Sequence, residues 1–346
     1  PAANLLQHTG KGHFGRTHSR VRKLPGFSGE LPVSALAEDI LTEGEGQIKA
    51  MVMMAGNPVL STPNGQQLDK AFKQLDFMVS IDFYINESNR HADLILPPVS
   101  PLERSHYDLI FHLLAVRNTA KYNPPLFKAP ANTKQDWEIL LELSHRLRGK
   151  TDIKNQVIHK AKMLLGPDAQ LDFMLRSGPY GGGLNLLKGL SLRQLKNQPH
   201  GIDLGPLKPS LPKSLKTKDK QIELHRDFFM ADLSRVEQRF FSNESVISDK
   251  PFSLIGRRHV RSNNSWLHNS KRLVKGKNRC TVMIHPYDAS ALNIDNAQVV
   301  KVESRVGQIE LPAEITEEVM QGVVSIPHGF GHNKSGTGWK VAEAHA

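Results

Sequence analysis

The stretch "IKAMVMMAGNPVLSTPNGQQLDKAFKQLDFMVSIDFY", residues 48–84, passes from strand to turn to helix to strand. Its first eight residues, 48–55, form a near-continuous apolar run, the pattern of a strand buried on both faces. Residues 56–65, "GNPVLSTPNG", are dense in turn formers. Residues 66–75 then place Leu68, Ala71, Phe72 and Leu75 on one helical face. "DFMVSIDFY" (76–84) reads as a second buried strand, and "ADLILPP" (92–98) as a third, stopped by its prolines. Strand, helix and strand in this order predict a parallel α/β sheet with right-handed crossovers.

Outward from this stretch, "DWEILLELSHRL" (136–147) reads as an amphipathic helix, with Asp136 near its start favouring the dipole. Residues 1–150 are therefore expected to form one Rossmann-like α/β domain. Residues 151–250 contain "GPYGGG" and "PHGIDLGPLKPSLPKSLKTKDK", rich in Gly, Pro and Lys, and read as an extended connector wrapping over its neighbours. From 251 to 346 short β signals dominate: "FSLIG", "CTVMIHP", "AQVVKVES", "GQIELPAEI" and "GVVSIP", with "HPYDASAL" as a short helix among them. Short strands at regular spacing point to a β-barrel.

The chain has 346 residues, enough for two domains and a smaller third piece. Its 39% hydrophobic and 23% charged residues fit a soluble globular protein. No apolar run approaches the roughly 18 residues of a membrane span, and the first twenty residues lack the apolar core of a secretory signal. No membrane insertion is expected. The start at Pro1 rather than Met points to a cleaved or truncated chain. A single cysteine, Cys280, excludes an internal disulfide and any cysteine cluster built by this chain alone. A reducing, cytoplasmic setting is the expectation. The net charge of +11 would attract any polyanion. A nucleic-acid binder should cluster that charge with interleaved aromatics, whereas aromatics make up 6% and the charge is spread along the chain. No nucleic-acid partner is expected.

Five motifs could carry chemistry. In "MMAGNPVLSTPN", Gly56 follows a buried strand, where bare backbone N–H groups can approach an anion and the hydroxyls of Ser61 and Thr62 can bond phosphate. An ordinary strand-to-helix turn reads equally well. Asp82, at the end of its strand, could accept the N1–H and N2–H edge of a guanine, or cap a turn. Arg90 and His91 precede the third strand, but His91 has no neighbour at metal-binding spacing and reads as a surface or capping residue. "FSLIGRRHVRSNNSWLHNS" (252–270) offers forked donors in Arg257, Arg258 and Arg261, amides in Asn263 and Asn264, and Trp266 to stack or pack. A solvated basic loop would account for the arginines but poorly for the Asn-Asn-Ser-Trp cluster. In "PHGFGH" (327–332), glycines flank His328 and His332, giving either a ligand approach or a plain turn. No GxSxG, phosphoryl-transfer or zincin signature occurs, and Cys280 reads as a small core residue. These residues describe a binding apparatus, with neither a catalytic group nor a metal ligand assigned.

The order of the segments resembles a known family. The stretch from 48 to 103, then "GRRHVRSNNSWLHN", "HPYDASALNIDNAQVVKVES" and "VSIPHGFGH", with "SGPYGGG" and "PHGIDLGPLKPSLP" between them, is similar to the C-terminal half of molybdopterin oxidoreductases of the dimethyl sulfoxide reductase type, formate dehydrogenases and nitrate reductases included. The resemblance implies two molybdopterin guanine dinucleotides carrying molybdenum or tungsten, and a C-terminal double-psi β-barrel. It implies that Gly56, Asn57, Pro58, Ser61 and Asp82 hold the diphosphate and guanosine end of one dinucleotide. Gly256, Arg257, Arg261, Asn263, Asn264, Ser265 and Trp266, with His328 and Gly329, would line the pterin. The chemistry would be two-electron or oxo transfer. Family members also carry an N-terminal segment with a [4Fe-4S] cluster and the metal ligand, which this sequence does not contain. They usually continue beyond the equivalent of "KVAEAHA" as well. The expected partners are therefore that missing half, or a split subunit supplying it, and an electron-transfer subunit. A noncatalytic remnant binding a partner through its basic surface is the alternative.

Overall fold

Three short parallel strands, Ala50–Met54 (β1), Phe77–Ile81 (β2) and Leu94–Ile95 (β3), form one sheet in the order β1-β2-β3. They belong to a computed structural model that describes residues 13–149, 152–182, 185, 188–241 and 251–345. The helix Gly65–Lys73 buries Leu68, Ala71 and Phe72 against Met53 and Met78 of the sheet and Ile40 of the helix Leu36–Leu41. Gly65 is required where this helix begins, because a Cβ there would lie 2.0 Å from the Val59 carbonyl oxygen.

β2, paired on both sides, is buried from Met78 to Ile81. β1 departs from the expected burial on both faces: Met53 is buried, but Val52 and Met54 remain about half exposed. The reason is position. Among the described residues β1 pairs only with β2, and helices cover only the face carrying Met53.

The region read as a connector is partly a packed unit. The helical segment Ile153–Arg176, broken at Gly166 (φ 61°) just before Pro167, buries Leu171 and Leu175. These pack with Leu190, Leu192 and Leu195, and with Ala120 and Tyr122 of the preceding region. The strand Ile202–Pro206 pairs antiparallel with Arg117–Ala120, tying the segment back across residue 150. The Gly-Pro break splits the apolar period, which is why a connector was read from composition. Residues 207–226 do run without regular helix or strand.

The C-terminal strands fall where the short β signals placed them. Ser253–Arg257 (β4), Val282–Ile284 (β5), Val299–Ser304 (β6), Gly307–Ile315 (β7) and Val323–Pro327 (β8) form a mixed sheet in the order β4-β8-β5-β7-β6. Its β4–β8 and β5–β7 pairs are parallel, and β5–β8 and β6–β7 are antiparallel. The helix Pro286–Ala291 lies between β5 and β6. The sheet curls into a half-barrel around Val282, Ile284, Leu311, Ala313 and Val324; β4 and β6 do not pair with each other among the described residues.

Candidate functional site

A cavity of about 250 Å³ opens where the carboxyl ends of β1 and β2 meet the 263–267 turn of the C-terminal unit. Open α/β sheets place ligands beyond these strand ends. Met54, Ala55, Gly56 and Asn57 form one wall, Asp82, Phe83 and Tyr84 a second, and Asn263, Ser265 and Trp266 a third. Trp339, the Pro98–Pro101 segment and the ion-paired Arg104 and Asp136 also border it.

The first wall is held by the turn after β1. Ala55 adopts the left-handed region (φ 48°), and its N–H donates to the Ile81 carbonyl at 3.0 Å. Such a conformation in a non-glycine residue costs about 1–3 kcal/mol and persists only where its surroundings impose it. Here residues 86–89, "NESN", impose it. Asn86 donates to the Gly56 carbonyl and to Asp82 Oδ2, both at 3.2 Å. Ser88 donates to Asn57 Oδ1 at 2.7 Å and accepts from the Val59 N–H at 2.9 Å. All four side chains are buried.

Asp82 fits both roles open in the sequence. Its Oδ1 accepts from the Tyr84 N–H at 3.1 Å, as a turn cap does, while the carboxylate borders the cavity. Burial pushes its pKa above the ordinary Asp value, against the lowering effect of the Tyr84 and Phe83 N–H groups. Each carboxylate oxygen offers two acceptor sites, so capacity remains for a ligand.

On the third wall, Asn263 (φ 41°) and Asn264 (φ 63°) are both left-handed, a region that Asn tolerates better than most residues. Backbone geometry thus accounts for the pair as well as any ligand edge. Asn264 Oδ1 accepts from Arg258, turning that amide away from the cavity. The "PHGFGH" loop braces this turn. Gly329 (φ 89°) passes so close that a Cβ would lie 2.5 Å from the Asn264 carbonyl oxygen.

Six of the expected residues therefore meet at one cavity: Gly56, Asn57, Asp82, Asn263, Ser265 and Trp266. The others do not border it. Ser61 and Thr62 hydroxyls donate back to the Asn57 and Pro58 carbonyls, as helical hydroxyls often do, so they are turned from any phosphate. Pro58 opens that short helix. Arg257 points into the half-barrel, donating to the carbonyls of Ser325, Arg279 and Thr281 at 3.1–3.2 Å. It ties β4 and β8 to the chain entering β5 and presents no fork to the cavity. Gly256 lies within β4, and His328 donates its N–H to the Arg257 carbonyl. Arg261 and Asn264 do not line the cavity. His91, read as a surface or capping residue, is instead largely buried and bonded to Asp69 at 2.7 Å. Burial raises the Asp69 pKa, but His91 and Arg90 outweigh it and hold the carboxyl below its ordinary range.

Two features escaped the sequence reading. Tyr84 and Trp339 stack at 4.8 Å in the cavity wall. Behind them Glu87, with no exposed surface, accepts from Asn57 at 2.6 Å, Trp339 Nε1 at 3.2 Å and His332 Nδ1 at 3.0 Å. His332 Nε2 in turn meets His268 Nδ1 at 2.9 Å. Burial alone would raise the Glu87 pKa, yet the bonds from His332 and Asn57 bring it below the usual Glu value. This carboxylate joins the α/β unit to the chain's last described segment. The signal was available in "INESN", four polar residues directly after a buried strand and its turn, where burial demands partners.

Comparison with known proteins places this geometry. Residues 6–146 match the family model of the molybdopterin oxidoreductases, and residues 252–344 that of the molydopterin dinucleotide binding domain. The chain is 29% identical to the F420-dependent formate dehydrogenase subunit alpha of Methanocaldococcus jannaschii, over 84% of this chain and 40% of that protein. It is 23% identical to the assimilatory nitrate reductase catalytic subunit of Bacillus subtilis, over 86% of this chain and 40% of that protein. The acetylene hydratase of Pelobacter acetylenicus shares the fold, with a TM-score of 0.67 at 16% identity over 91% of this chain and 42% of that one. The chain thus spans about 40% of the length of these relatives. With an α/β region and a half-barrel in the family's order, and one cavity drawing on both, the chain belongs to the molybdopterin oxidoreductases.

Proposed function

We propose that the cavity receives the guanosine end of a molybdopterin guanine dinucleotide. The observation that carries this reading is the placement of the Asp82 carboxylate at a strand end, facing Trp266 and the Gly56 turn across one cavity. Whole small-molecule sites usually enclose about 300–1,000 Å³. A cavity of about 250 Å³ therefore suits one end of a long ligand rather than all of it. Asp82 accepts the two N–H donors of the guanine edge. Trp266, largely exposed, supplies a stacking face. The backbone at Gly56 and Asn57 leaves room for the ribose and diphosphate to approach. Asn263 and Ser265 offer hydrogen bonds where the ligand continues toward the half-barrel, which in the complete enzyme closes as a double-psi barrel.

When bound, the cofactor supplies two-electron or oxo-transfer chemistry at its metal. This chain supplies binding and orientation, as proteins do for cofactors that carry the reactive centre. The named relatives favour a formate dehydrogenase-like or nitrate reductase-like reaction. The chain would act in the cytoplasm with the remaining portion of a family-length enzyme, which brings the metal ligand and iron–sulfur cluster, and with an electron-transfer subunit.

The test is calorimetric titration of the chain with guanosine and adenosine diphosphates. Guanosine should bind more tightly, and Asp82→Ala should abolish the preference, worth about 1–3 kcal/mol. Equal binding of the two nucleotides before mutation would remove Asp82 from this role.

A further inference from the structure

The first half of the helical segment Ile153–Arg176, up to its break at Gly166, turns its apolar face away from its neighbour. The inner face meets the helix Asp136–Leu147 through His159, which stacks on His145 at 4.1 Å and sets its Nε2 2.8 Å from Glu142 Oε2. Asn155 and Met163, four residues to either side, share that face and are partly buried. The opposite face is apolar and lies in solvent. Ile153, Val157, Ala161 and Leu164, spaced four, four and three residues apart, form a stripe on it, and Ile158 and Leu165 widen it. Ile153, Val157, Leu164 and Leu165 are 60–87% exposed. Single exposed apolar residues are ordinary, but a continuous stripe of them at helical spacing marks an interaction surface.

Charge of one sign borders the stripe. At 3.6 residues per turn, Lys160 and Lys162 fall on its two margins and Lys154 within it. None of the three is among the lysines that pair with a carboxylate in the described residues. No Asp or Glu occurs from Ile153 to Pro167.

We propose that this stripe docks an α-helix with an apolar face and acidic margins, carried by the portion of a family-length enzyme that lies outside this chain. The chain spans about 40% of the length of its relatives, so most of such an enzyme is elsewhere; in naming that source, the inference rests on the function proposed above. The lysines complement acidic margins and oppose a second copy, which would set lysine against lysine. Helices that lie on membranes commonly seat Trp or Phe beside leucine, and this stripe holds no aromatic residue. Its centre is Ala161, a small residue that lets a second helix approach to the roughly 8–10 Å of ordinary helix packing.

The test is fluorescence anisotropy of the full chain with a labelled, helix-forming synthetic peptide that has leucine on one face and glutamate on the rest. The same peptide with lysine for glutamate, and phosphatidylglycerol vesicles, are the comparisons. The glutamate peptide should bind saturably, about tenfold or more tighter than the lysine peptide, and more weakly as salt rises. Val157→Ser and Leu164→Ser, at exposed positions, should each weaken it about tenfold, through loss of one apolar side chain to bury. Lys160→Glu with Lys162→Glu should reverse the preference between the peptides. Leu254→Ser, at a comparably exposed position on β4, should change nothing. In the enzyme assembled with its remaining portion, amide exchange over residues 153–165 should be slower than in the chain alone, and an equal rate overturns the proposal. So does glutamate-peptide binding that survives Val157→Ser and Leu164→Ser, binding to the vesicles without binding to the peptide, or a dimer of the chain alone that those two variants split. Guanosine diphosphate separates this inference from the cofactor reading: a lost guanosine preference with peptide binding intact removes that reading alone, and the reverse removes the docking surface alone.

Discussion

Replacing Glu87 with Ala should be among the most damaging single changes in the chain. The side chain has no exposed surface and accepts from Asn57, His332 and Trp339. Its removal leaves the buried donors of His332 and Trp339 and the half-buried Asn57 amide unpaired, and each unpaired buried donor costs about 1–3 kcal/mol. Partial repair by water or by shifted side chains reduces the sum. We expect a loss of about 3–5 kcal/mol, against a total stability of roughly 5–15 kcal/mol. Urea unfolding followed by far-UV circular dichroism should show it as a lower midpoint at unchanged slope. Glu87→Gln, which keeps the shape and one acceptor, should lose less. The sign with pH is fixed by the depressed pKa. The contribution is fully present above the unfolded Glu value, about 4.3, and is lost as pH falls through the lower folded value. Acid titration should therefore destabilise the native chain in a window where Glu87→Gln is flat. A Glu87→Ala variant within about 1 kcal/mol of the native chain would refute the claim that this carboxylate joins the two units.

His268 gives a second pH dependence at higher pH. Burial and the neighbouring His332 push its pKa down to about 4, against a weaker opposing effect of the Gly329 backbone. Below about 6.5 the unfolded chain binds a proton that the folded chain refuses, so stability should fall by at most about 3 kcal/mol as pH drops from 6.5 to 4. Chemical denaturation across that range should show the slope reduced in His268→Asn. Gly329→Ala should destabilise by about 2 kcal/mol or more, since the left-handed conformation alone costs about 1–2 kcal/mol and the new Cβ would lie 2.5 Å from the Asn264 carbonyl oxygen; an unchanged melting temperature would show that the loop gives way freely. Arg257→Ala should lower stability by about 3 kcal/mol, through loss of its charged bonds to three carbonyls, while leaving the guanosine preference intact. A changed preference with unchanged stability would restore Arg257 to the ligand.

The sequence by itself determined the elements and their order. Apolar runs at 76–84 and periodic positions Leu68, Ala71 and Phe72 have one stable arrangement in water, a strand covered by a helix, and the structure has it. The β signals after residue 251 likewise fell on strands, because period-2 patterning and turn residues act locally. Half of the site was legible for the same reason: Gly56, Asn57 and Asp82 lie at strand ends, where ligands bind in sheets of this kind.

Tertiary structure decided which polar groups were already spent. Arg257 and Ser61 look like ligand donors in sequence, but carbonyls within reach of the folded chain take their hydrogens. Glu87 looks like a surface carboxylate, yet its three donors come from residues 30, 245 and 252 positions away. The exposure of Val52 and Met54 depended on a sheet face that no helix covers among the described residues, and the core at Leu171 and Leu175 on a helix resuming after a Gly-Pro break. Backbone preference and hydrophobic period are local and can be read along the chain. Hydrogen-bond satisfaction and burial depend on partners distant in sequence, and only the fold brings those partners within hydrogen-bonding distance.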